Sequence, residues 1–147
     1  MIEKSVQRLE YLCSHIPPLL SQLSEATLSW KPDPVKWSKK EILGHLIDSA
    51  ANNHQRFVRG QYENAPTIFY DQDEWVKLQV YQSCKKEALI SLWESYNRHL
   101  VHILSKVPKQ DLSRTCKGKD GSSATLQFLA DDYVVHLEHH LKQIIEY

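Results

Sequence analysis

Tyr133-Val134-Val135-His136-Leu137-Glu138-His139-His140-Leu141-Lys142-Gln143-Ile144 has the pattern of one amphipathic helix. At about 100° per residue, His136 and His140 share a face with Leu129, Tyr133 and Ile144. Two imidazoles therefore stand inside an apolar stripe, where burying either without a partner costs on the order of 1–3 kcal/mol. A pair one turn apart brings two ring nitrogens close enough to share one metal ion, which would supply the partner. His139 is turned about 100° away from that face and reads as a neighbour of the pair.

A third ligand would have to come from a facing helix. Ser38-Lys39-Lys40-Glu41 has the S-x-x-E form of a capping box, so a helix starts there and runs to about Gly60. Along it Ile42, Leu46, Asn53 and Phe57 share one face, and His45, Ser49, Asn52 and Arg56 form a polar stripe beside them. His45, at the buried edge, is the best third ligand. Asp48, Ser49, Asn52 and Arg56 follow it and could orient a ligand or meet a substrate, although each also suits the polar flank of any surface helix. Tyr133 fits either a core position with a satisfied hydroxyl or a pocket wall. His54, His99 and His102 read as structural or surface residues, and His15 lies at a helix end.

The remaining pattern is also helical. Ile2, Val6, Leu9, Leu12, Cys13 and Ile16 recur at spacings of three and four, and Pro17-Pro18 is expected to end or kink that first helix before a shorter continuation through Leu19, Leu20 and Leu23. The run Trp30-Lys31-Pro32-Asp33-Pro34 cannot be regular helix, so residues 24–35 form a connection. Residues 61–74 read as an aromatic, acidic loop of the kind that often covers a site. Ser83 is expected to cap a third helix carrying Leu89, Leu92, Trp93, Tyr96, Leu100, Ile103 and Val107, which ends before Pro108. After a polar connection with a turn at Gly118-Lys119-Asp120-Gly121, the last helix runs from about Thr125 to the C-terminus. No segment alternates with the β period. These patterns predict an all-α four-helix bundle with long connections, one domain over residues 1–147.

Composition narrows the function. Eighteen Lys and Arg balance eighteen Asp and Glu, which gives no electrostatic footprint for nucleic acid or an anionic membrane. The charged start lacks the apolar core of a signal peptide and nowhere do about 18 apolar residues run together, so a cytoplasmic protein is expected. Three cysteines without C-x-x-C spacing suit reduced thiols, with Cys13 and Cys84 packing between helices and Cys116 a loop thiol. Leu137 stands where an H-E-x-x-H protease needs Glu, and His139 where the inverted form needs it. No Glu has His three residues later, which excludes the paired Glu-x-x-His elements of di-iron bundles.

Lys36-Trp37-Ser38-Lys39-Lys40-Glu41-Ile42-Leu43-Gly44-His45-Leu46-Ile47-Asp48-Ser49, Arg56-Phe57, Tyr70-Asp71-Gln72-Asp73-Glu74-Trp75 and the closing Tyr133–Ile144 stretch together resemble the DinB/YfiT-like family of metal-binding four-helix bundles. The resemblance implies a divalent ion, Zn²⁺ or Ni²⁺, on His45, His136 and His140, with water in an open position. It further implies a hydrolase or a thiol S-transferase acting on an unknown small molecule, the latter with a small thiol as cosubstrate, and a homodimer of the kind relatives form. It implies no DNA binding. The alternative is a non-catalytic bundle in which metal ties two helices together and the protein serves as a binding or interaction module. Because ligation requires neutral imidazoles, bound metal should leave as pH falls through about 6.5 and below, the ion itself pushing the loss lower. Metal content after dialysis at successive pH values checks this, and full occupancy at strongly acidic pH would contradict it.

Overall fold

The computed structural model describes residues 2–147. The three-and-four spacing produces α1 (Ile2–Ser21), α2 (Glu25–Ser29), α3 (Lys39–Tyr62), α4 (Gln72–Gln79), α5 (Lys86–Lys106) and α6 (Leu126–Leu141), of which α1, α3, α5 and α6 form the bundle. α1 packs on α5, α5 on α3, α3 on α6, and α6 on α1. The long connections before α3 and α6 thus set α1 diagonal to α3 and α5 diagonal to α6, and they bring α3 beside α6. Leu9, Leu12, Ile16 and Leu20 of α1 fill the centre with Leu43, Leu46 and Phe57 of α3, Trp93 and Leu100 of α5, and Leu137 and Leu141 of α6. Among the described residues no helix is long and apolar enough to cross a membrane.

Local chemistry fixes where the two site helices begin. Ser38 Oγ accepts from Glu41 N, and Glu41 Oε1 accepts from Ser38 N at 3.0 Å, so the predicted capping box is formed. Thr125 Oγ1 accepts from Phe128 N at 3.1 Å and starts α6 as expected. Gly44 determines how closely the segment after α4 approaches α3, because the ring of Tyr81 lies where a Cβ would stand.

Several features depart from the sequence reading. α1 neither ends nor breaks at Pro17-Pro18. Pro17 has no N–H for the Cys13 carbonyl, and Arg98 Nη2 of α5 donates to that oxygen at 3.3 Å, which compensates the helix for the missing bond. Residues 24–35 hold the short helix α2, capped by Ser24, ahead of the irregular proline run. Ser83 does not cap α5; its Oγ donates to Val80 O at 2.9 Å, within a 3₁₀ turn over Tyr81–Ser83. The cap comes from a distant residue: Glu25 Oε1 accepts from Lys86 N at 2.8 Å, and its other oxygen takes the buried Lys40 ammonium.

The third connection is not all loop. β1 (Thr115–Lys117) and β2 (Ser123–Thr125) pair antiparallel with Cys116 opposite Ala124, and Gly121 at φ +80° makes the turn. Cys116 is therefore a strand residue buried with Ile68 and Leu126, not a loop thiol. Cys13 is a buried helix residue as expected, whereas Cys84 lies outside the helices, at the end of the 3₁₀ turn and partly packed on the core. Finally, α4 occupies part of the second connection, and α6 stops at Leu141, so Gln143 lies in a turn beyond it.

A Gly→Ala change inside a helix ordinarily stabilises by about 0.5–1 kcal/mol. At Gly44 the sign should reverse, because the new methyl meets a buried ring that is itself anchored by hydrogen bonds. Gly44→Ala is expected to lower stability by about 1–3 kcal/mol in urea unfolding; a gain would show that Tyr81 can move aside at no cost.

Candidate metal centre

The packing of α3 against α6 joins residues far apart in the chain. His45 Nε2 lies 3.4 Å from His136 Nε2. The His45 ring centroid is 5.2 Å from that of His136 and 4.8 Å from that of His140, and the two α6 rings are 4.6 Å apart. One ligand-capable atom from each of the three lies within 4.8 Å of the others, the one such group of three His, Cys, Asp or Glu residues among the described residues. His45 is fully buried, and His136 and His140 are partly exposed. The indole of Trp37 lies tilted over His45, 5.0 Å between centroids.

The electrostatics favour the neutral form of His45 and of His136. Burial is the main force lowering the His45 pKa to about 3, and His140 and then His136 add to it. His136 is lowered by burial first and by His140 second, with Asp132 opposing. Neutral imidazoles keep their lone pairs. His45 Nδ1 is buried without a hydrogen-bond partner, and its Nε2 meets only another imidazole. Three bases facing one another without an acid are an unusual way to satisfy a buried ring, and their donor set fits a divalent cation such as Zn²⁺ or Ni²⁺. Beside His140 opens a groove of about 460 Å³, lined by Lys36, Trp37, Ile42, Gln72, Asp73 and Gln143 among others.

The other candidates fall into separate places. Asp48 is buried next along α3, where its Oδ1 accepts from Tyr81 Oη at 2.5 Å and Gln79 Nε2 at 2.7 Å, while Oδ2 has no partner. Burial raises its pKa, and the two hydrogen bonds act against that rise. Ser49 is buried and accepts from Asn53 Nδ2 at 3.3 Å. Tyr70, from the loop over this stripe, has its phenol raised by burial first and Asp48 second, with Arg56 and Ser49 opposing. Arg56 donates to Asn53 Oδ1 and to Ile68 O, each at 3.2 Å, holding the loop to α3.

Asn52 donates to Asp48 O and lines a groove of about 490 Å³ with His54, Trp75 and Tyr96, which includes none of the three clustered histidines. Tyr133 is a core residue whose hydroxyl donates to Asn97 Oδ1 at 2.6 Å. His139 is exposed, with its ring 5.1 Å from that of His140. His15 stacks on Tyr11, while His54 pairs with Tyr96 and His99.

Three residues of the site were missed in the sequence. Trp37 and Ile42 occupy the N′ and N4 positions of a hydrophobic staple around the Ser38 cap, a signal that would have drawn both to the mouth of the groove. Gln143, three residues after His140, places Oε1 2.8 Å from His140 Nδ1.

The model of the DinB superfamily matches residues 9–144. The chain belongs to that superfamily. A relative from Bacillus cereus (strain AH820) named "Putative metal-dependent hydrolase" is 26% identical over 145 residues, covering 98% of this chain and 83% of its own. Relatives of the same name occur in Bacillus anthracis. Among solved structures, YfiT from Bacillus subtilis, described as "a probable metal-dependent hydrolase with an unusual four-helix bundle topology", superposes with a TM-score of 0.88 at 23% identity, covering 97% of this chain and 83% of YfiT. A variant of the mycothiol-dependent maleylpyruvate isomerase superposes with a TM-score of 0.81 at 11% identity, covering all of this chain and 62% of that one. At these identities the superpositions establish the four-helix fold.

A pH dependence follows from the depressed histidines. Below the ordinary value of 6.5 the unfolded chain takes up a proton that folded His45 refuses down to about 3, so His45 lowers stability as pH falls through that window. His136 adds in the same direction, and Asp48, raised in the fold, opposes it. For chelator-treated protein, the urea midpoint should fall as pH drops below about 6.5, and His45→Asn should flatten that slope. An identical slope in the variant would contradict the assignment.

Proposed function

We propose that this chain is a metal-dependent hydrolase of a small molecule, with His45, His136 and His140 holding one Zn²⁺ or Ni²⁺ ion. The observation that carries the reading is the convergence of three imidazoles next to an open groove, with no fourth His, Cys, Asp or Glu in the cluster. Three protein ligands are the pattern of catalytic sites, whereas structural zinc sites close with four. Held by His45, His136 and His140, a divalent ion would supply Lewis acidity, the chemistry that activates water near neutral pH and polarises a carbonyl or phosphoryl oxygen.

The chain's own groups supply the rest. Trp37 covers the His45 ring on one side and limits solvent there. Trp37 and Ile42 give the groove an apolar wall for the body of a substrate, and Lys36 and Asp73 supply charges of both signs to orient its polar end. Asp48 contributes by fastening α3 to the Gln79–Tyr81 segment, which steadies the helix that carries His45. The cysteines are not part of the cluster, so a thiol-transfer reaction on this site would need its thiol from a cosubstrate.

Purified protein should carry close to one divalent ion per chain, and the double variant His136→Ala/His140→Ala should lose it. Screening wild type and double variant against small esters, amides and phosphate esters should reveal hydrolysis that only the metal-loaded wild type performs. Turnover only with an added small thiol would assign the chain to S-transfer instead. A double variant that retains its metal would refute the site, and a metal that stabilises the fold without supporting any turnover would favour a non-catalytic, metal-tied bundle.

A further inference from the structure

Gln143 lies just beyond the end of α6, where its N–H donates to His140 O at 3.0 Å and the chain turns back toward the His140 ring. Its side-chain oxygen stands 2.8 Å from His140 Nδ1. An amide oxygen only accepts, so that contact requires the proton on Nδ1 and leaves the lone pair on Nε2. The opposite end of the amide, Nε2, lies 3.5 Å from His139 Nε2, at the limit of a hydrogen bond. An amide NH₂ only donates, so His139 Nε2 as the acceptor on that side holds the amide with its oxygen toward His140. His45 has no such support, since its Nδ1 is buried without a partner.

Resting on the metal reading above, we propose that Gln143 is a positioning residue that holds His140 as the Nδ1–H tautomer and so keeps Nε2 free to bind the ion with His45 and His136. Groups that hydrogen-bond the outer nitrogen of a ligating histidine orient the ring and raise its basicity, and losing one typically weakens metal binding by about 10–100-fold. His139, which has no place among the three clustered nitrogens, acquires a role in this arrangement as the group that orients the amide.

The tautomer can be read without metal. Long-range ¹H–¹⁵N NMR on the chelator-treated protein should show neutral His140 as Nδ1–H in wild type, a shift toward Nε2–H in Gln143→Ala, and return to Nδ1–H in Gln143→Glu, which keeps an acceptor. Zinc titration should show affinity about 10–100-fold weaker in Gln143→Ala at unchanged stoichiometry, with Gln143→Glu restoring it. Gln143 is exposed and outside the helix, so the metal-free urea midpoint of each variant should match wild type. His140 found as Nε2–H in wild type, or the same tautomer and zinc affinity in Gln143→Ala, would overturn the proposal. A Gln143-dependent tautomer in a wild-type chain that takes up no zinc would overturn the metal reading while leaving the tautomer assignment intact.

Discussion

Three buried or half-buried imidazoles that face one another constrain this molecule more than any other group. His45 and His136 are separated by 91 positions in sequence, and their ring nitrogens stand 3.4 Å apart. Burial disfavours a charge on His45, and the positive charge that His140 and His136 would carry if protonated disfavours it further. The folded chain must therefore hold three lone-pair donors together. Much of the architecture serves that requirement: the long connections make α3 and α6 neighbours, Ser38 and Thr125 fix where those helices start, and Tyr81 against Gly44 brings the segment after α4 down onto α3.

What could be read from the chain was mostly local. The capping box at Ser38, the start of α6 near Thr125, the α3 and α5 periodicities and the His136–His140 spacing all concern residues within one or two turns, where helix geometry decides. The failures involve partners across the fold. Pro17 ought to break a helix, but Arg98 from another helix bonds to the carbonyl it leaves free. Ser83 has the right chemistry for a cap, but Glu25 reaches Lys86 from the first connection and α5 starts there. Cys116 reads as a loop residue because a three-residue strand is too short to show a period, and its burial depends on Ile68 and Leu126.

The site shows the same division. The α6 pair could be recognised from spacing alone, and His45 from its place at the edge of an apolar face. The polar stripe after His45 could not be resolved into roles, because its members point to different neighbours: Asp48 to Tyr81 and Gln79, Arg56 to the loop carbonyl of Ile68, Asn52 to a separate groove. Membership of the DinB superfamily and the likeness to YfiT agree with the bundle. They do not choose among chemistries, since the same fold also serves an isomerase that depends on mycothiol. The donor set and the groove beside His140 carry the functional argument.

The most direct test of that argument is X-ray absorption fine structure at the zinc edge of the metal-loaded protein. Three imidazole nitrogens and at least one non-protein oxygen are expected at about 2.0–2.2 Å, a pattern lost in His45→Ala. A shell closed by four protein ligands, one containing sulfur, or a spectrum unchanged in that variant would contradict it.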